Sequence, residues 1–149
     1  MKNQMLRIFL MSSLLAILTV SSVYAQSNQE QTANIPFSFT VGSKVFPAGE
    51  YVVAHLNPQS DKAALLIKSA DGRMSKIVLM TPVQAGEAQE SARLVFNRYG
   101  EQYFLAQVWT PADNMGLELP KSRSERTLAR DAGEHAPERT AIALGSRSR

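Results

Sequence analysis

The chain has 149 residues, no cysteine and a formal net charge of +3, with a sequence pI near 9.4. That length supports one ordinary domain with a single core. The lack of cysteine excludes disulfides, thiolate metal sites and lipoprotein attachment.

Residues 1–25 read as an export signal. Lys2 and Arg7 form a positive start, Ile8 to Val20 form a mostly apolar run, and Val23-Tyr24-Ala25 gives a small-residue cleavage site before Gln26. The competing reading is an uncleaved membrane anchor. Ser12, Ser13, Thr19, Ser21 and Ser22 interrupt the apolar run, and polar Gln26-Ser27-Asn28-Gln29-Glu30-Gln31 follows it in place of a basic stop-transfer cluster. Cleavage between Ala25 and Gln26 would leave a protein in the periplasm or outside the cell, with no membrane span. No Asn begins a glycosylation sequon, and a bacterial origin fits best. The signal takes Lys2 and Arg7 with it. What remains is a mildly acidic body over residues 26–120 and a basic segment from Lys121, where seven Lys/Arg face four Asp/Glu.

Residues 26–33 are polar and predict a flexible leader. The nine aromatic residues after the signal all lie between Phe37 and Trp109, so residues 34–120 should hold the core. The period there is two. Phe37, Phe39 and Val41 alternate with Ser38 and Thr40 as in a half-buried strand. Gly42-Ser43 turns the chain into Lys44-Val45-Phe46, and Pro47-Ala48-Gly49 is a second turn. Tyr51 to Leu56 is a strand with Tyr51, Val53 and His55 on one side, followed by a loop over Asn57-Pro58-Gln59-Ser60-Asp61.

A hairpin is predicted from Ala64–Ala70 and Arg73–Met80 around Asp71-Gly72, a pair suited to a type I′ turn. Thr81-Pro82 should end that run, and Val83 to Glu90 should be a loop with the option of a helical turn. Ala92–Arg98 and Gln102–Trp109 form a third hairpin around Tyr99-Gly100-Glu101. Pro111 to Pro120 reads as a loop or irregular edge. Ser122-Arg123-Ser124-Glu125 matches a capping box opening a helix within residues 121–132. Such a short helix needs Leu128 docked on the β body. Residues 133–149 read as a disordered tail. The expected fold is therefore all-β: a small antiparallel barrel or sandwich of six to seven strands, a short C-terminal helix and a disordered tail.

Four motifs recur in order: Ile35-Pro36-Phe37-Ser38-Phe39, Phe46-Pro47-Ala48-Gly49-Glu50-Tyr51, Tyr103-Phe104-Leu105-Ala106-Gln107-Val108-Trp109 and Glu118-Leu119-Pro120-Lys121-Ser122. With them the chain resembles, over residues 35–130, a family of small exported β-rich proteins common in acidobacterial genomes and without assigned activity. The resemblance implies a self-contained exported domain and carries no site residues.

The sequence contains no metal-ligand spacing, nucleophile elbow or phosphate-cradling loop, so no catalytic residue, metal or cofactor is assigned. His55 reads as a polar residue on a partly exposed strand face rather than a ligand or base. Glu87 and Glu90 read as a solvated loop rather than a carboxylate pair. Asp113-Asn114 near Glu118 reads as turn chemistry rather than a calcium site. The C-terminal arginines lack the interleaved aromatics of a nucleic-acid site. Attraction to anionic headgroups or surface polymers is weakened by Glu125, Asp131, Glu134 and Glu138. The expected strands are fewer and shorter than an outer-membrane barrel needs and hold Lys44, Lys68 and Lys76, which argues against one. Two functional readings remain. One is a non-enzymatic exported domain that interacts with an envelope protein or surface polymer. The other is a small-ligand-binding β-barrel with a cavity lined by Phe37, Phe39, Tyr51, Phe96 and Trp109.

Overall fold

A computed structural model describes residues 30–56, 63–86, 90–110, 115–133 and 135–146. The expected export signal, the loop at 57–61, Glu87 and Asp113-Asn114 lie outside the described residues. The described chain is mostly strand with one short helix. The strands are β1 (Gln31–Ile35), β2 (Phe39–Val41), β3 (Lys44–Phe46), β4 (Gly49–His55), β5 (Ala63–Ser69), β6 (Ser75–Gln84), β7 (Arg93–Tyr99), β8 (Gln102–Trp109), β9 (Met115–Glu118), β10 (Glu138–Ala143) and β11 (Gly145–Ser146); the helix α1 (Arg123–Asp131) lies between β9 and β10. No helix among the described residues is long and apolar enough to cross a membrane.

The strands follow one open path, β10-β7-β8-β9-β6-β5-β4-β1-β11, with the β2–β3 pair attached to β8. The sheet is mixed because β2 runs parallel to β8 while the other pairs are antiparallel. The closed barrel is thus corrected to an open sheet, and six or seven strands to eleven. The sheet bends where β6 changes partner. Its residues 75–80 pair with β5 and its residues 81–84 with β9. The two halves then face each other: Phe39 of β2 meets Tyr51 of β4 edge to face at 5.0 Å. Ile35, Val53, Leu65 and Ile67 from one half, and Leu94, Phe96, Leu105 and Val108 from the other, belong to the same buried cluster. Burying such side chains is the main stabilising term, roughly 1.5–3 kcal/mol each.

Three expectations fail for identifiable reasons. Pro82 does not end β6, because it falls beyond the last pair with β5 and leaves no ladder on that side to interrupt. Residues 31–33 are not a flexible leader. They pair with β4 and bury Ala33, a weak apolar signal carried mainly by Ala33 and Ile35. Nor are residues 135–146 of the expected tail disordered. β10 pairs with β7 over Glu138–Ala143, and β11 pairs with β1. The alternation of half-buried Thr140 and Ile142 with exposed neighbours is an edge-strand pattern too polar to register as core. Ile142 and Leu144 pack against the buried cluster.

The Asp71-Gly72 hairpin forms, but not as a two-residue type I′ loop. Residues 70–74 connect the strands, and the Gly72 N–H donates to the Ser69 carbonyl at 2.9 Å. Gly72 adopts φ +74°, the left-handed region that glycine enters without steric cost. Asp71 Oδ1 accepts from the Ser69 hydroxyl at 2.6 Å and from the Arg73 N–H at 3.0 Å. These bonds, the Ser69 one foremost, hold the Asp71 carboxyl below its usual range.

Candidate functional site: a recess on the outer face of the sheet

The aromatic residues expected around a cavity separate into two places. Phe37, Phe39, Tyr51 and Phe96 sit ring against ring. The Phe37–Phe96 centroids are 5.3 Å apart and the Phe39–Phe96 centroids 5.4 Å, both edge to face. Phe46 joins them, 5.4 Å from Phe39 and 5.8 Å from Tyr51. Tyr103 stacks on Phe37 at 3.9 Å. The Tyr51 hydroxyl donates to the Pro47 carbonyl at 2.6 Å. Burial, and secondarily the charge of Asp71, push its pKa up. Phe39, Phe46, Tyr51 and Phe96 belong to the buried core cluster, and Phe37 and Tyr103 pack against it.

Trp109 lies on the opposite face of the sheet. The cause is a register shift between β7 and β8: Val95 pairs with Gln107 but Phe96 pairs with Leu105, leaving Ala106 as an extra residue. Simple alternation would put Leu105, Gln107 and Trp109 on one side. With the bulge, Leu105 and Val108 both join the core cluster. Gln107 and Trp109 turn outward beside Val95 and Arg93. The Ala106 carbonyl accepts from the Leu119 N–H at 2.8 Å, which pins the bulge.

On this outer face is a concave recess of about 490 Å³, in the size range of small-ligand sites. β7 contributes Arg93 and Val95, and β8 contributes Gln107 and Trp109. β10 adds Arg139 and Ala141, and the end of β6 adds Val83 and Gln84, followed by Ala85. The floor is organised by a chain of hydrogen bonds. The Trp109 indole N–H donates to Gln107 Oε1 at 3.2 Å, and Gln107 Nε2 donates to Glu118 Oε2 at 3.2 Å. Gly116 pairs with Trp109 across β8 and β9. A Cβ at Gly116 would stand 2.5–2.7 Å from the indole ring, so glycine lets the ring lie flat against the strand. The described lining residues include two guanidinium groups, two amides and no carboxylate.

The helix α1 packs on the same face. Ser122 caps it, its hydroxyl accepting from the Glu125 N–H at 3.2 Å. The other half of the expected capping box is absent. The Glu125 carboxylate instead points into the sheet, 3% exposed, and accepts from Asn97 Nδ2 at 2.8 Å. Glu125, not the half-buried Leu128, is the residue the helix buries. Asn97 is the register partner of Arg139, so α1 and the recess adjoin.

The remaining candidates are not among the residues that line the recess. His55 is half-buried on β4 opposite Leu65, and burial lowers its pKa. Glu90 is exposed. Glu118 is engaged with Gln107. No group of His, Asp and Glu among the described residues has the arrangement of a metal site. Comparison with protein-family models, with curated proteins and with solved structures finds no match to this chain.

Proposed function

We propose that the protein is an exported domain that binds rather than transforms its partner, and that it works through the outer face holding the recess and α1. The observation that supports this reading most directly is the lining of the recess. Guanidinium groups, amides, an indole edge and the methyl groups of Val83, Val95 and Ala141 are recognition groups, held in place by the Trp109–Gln107–Glu118 hydrogen bonds. The recess on the outer face, which includes Trp109, supports placing the ligand-binding reading there rather than among the core rings.

The test is to express the full chain in a bacterial host. The expected result is a protein shortened by residues 1–25, recovered outside the cytoplasm and sedimenting with isolated cell envelopes. The single substitution Arg139→Ala should release it from the envelopes without lowering its unfolding midpoint. Retention of the full-length chain in the cytoplasm would overturn the exported part of the reading. Hydrolytic turnover abolished by His55→Ala would overturn the binding part.

A further inference from the structure

We infer that the ligand of this face is an acidic polysaccharide, with one carboxylate seated at exposed Arg139 in the recess and the polymer continuing along α1. The inference rests on the binding reading above and adds the ligand class. α1 turns Glu125 toward the sheet and leaves Arg123, Arg126 and Arg130 exposed, at spacings of three and four residues that place them along one side of the helix. Lys121 is exposed just before its start, and its carbonyl accepts from Arg126 Nη1 at 2.9 Å. Because Asn97 both binds Glu125 and pairs with Arg139, the helix that carries the basic row adjoins the recess. Of the acids nearby, Glu118 is engaged by Gln107 at the recess floor, Glu138 is 3.2 Å from Arg98, and Asp131 at the helix end is exposed.

Three features favour a uronic-acid polymer over other polyanions. A guanidinium matches a planar carboxylate with paired hydrogen bonds. Gln84 and Gln107 offer amides to hydroxyl groups, and the methyl groups of Val83, Val95 and Ala141 suit the C–H face of a pyranose. A single-stranded nucleic acid would require exposed rings for stacking, whereas Trp109 is 6% exposed. A membrane-surface helix pairs its basic row with apolar residues that enter the bilayer. The exposed residues of α1 are Arg123, Ser124, Arg126, Thr127, Arg130 and Asp131.

The experiment is calorimetric titration of the purified protein at low salt with polygalacturonate, its fully methyl-esterified form, inorganic phosphate and vesicles containing anionic phospholipid. Polygalacturonate alone should bind, and more weakly as salt rises. Arg139→Ala should weaken binding by about tenfold, the scale of one charge-assisted hydrogen bond. Arg126→Ala with Arg130→Ala should weaken it less, and Arg139→Lys should recover part of the loss. Circular dichroism of each variant should match the parent. Equal binding of the esterified polymer, binding of vesicles or phosphate but not polygalacturonate, or indifference to Arg139→Ala would each overturn the inference. Envelope binding that persists without polygalacturonate binding overturns this ligand class alone; loss of both overturns the binding reading as well.

Discussion

Gly116 is the residue on which the recess depends most narrowly. Its missing Cβ is the space that the Trp109 ring fills, so Gly116→Ala must move either the ring or β9. We expect a loss of about 1–3 kcal/mol, as for other overpacked sites, measured as a lower urea midpoint. Trp109 is the sole tryptophan, so its emission should shift to longer wavelength in the same variant. At the hairpin, Gly72→Val should cost about 1 kcal/mol or more, because a β-branched residue resists φ near +74°. The measurement is again the urea midpoint, and an unchanged value would argue against the positive φ. His55 makes stability depend on pH. Burial lowers its folded pKa below 6.5, so the unfolded chain takes up the proton first. Stability should be full above pH 6.5 and decline as pH falls through that value toward the folded pKa. His55→Gln should flatten this part of the profile, read from urea midpoints between pH 8 and pH 5.

Among the elements, α1 is held by a polar contact where an apolar one was expected. Glu125→Ala would strand the buried Asn97 amide, with an expected cost of about 1–3 kcal/mol. Glu125→Gln should retain most of the stability, since an amide can accept the same hydrogen bond from Asn97 Nδ2. Comparing the two unfolding midpoints separates a hydrogen bond from simple helix packing. Ending the chain at Gly133 removes β10 and β11 and with them the packing of Ile142 and Leu144. The expected loss is at least ~2 kcal/mol by area burial, with aggregation at the uncovered β7 edge; a disordered tail would cost nothing. The hairpins β5–β6 and β7–β8 were legible because apolar alternation and glycine turns agree there. The strands β1, β10 and β11 were not, because edge strands bury few side chains and their pairing is long-range. Trp109 was misplaced because period-two counting runs straight through Ala106, and a bulge has no residue type of its own. Glu125 matched a capping motif, and only the position of Asn97, 28 residues earlier, reveals its other use.

For the molecule as a whole, charge and architecture coincide. The described basic residues from Lys121 onward lie just before α1, along it, and on the edge strand β10, which borders the recess. A polyanion approaching the protein would therefore meet the positive part of its field on the face proposed above to bind it. The path of the sheet also sets a timetable. β1, near the start of the described chain, is flanked by β4 on one side and by β11 on the other, and β7 acquires its outer neighbour only from β10. During synthesis the outer side of β7 stays open until Ala143 has been made and that of β1 until Ser146 has been made, so strands late in the described chain complete the sheet. A chain built this way delays its own folding. If it crosses a membrane unfolded, it arrives on the far side carrying the strands that complete it.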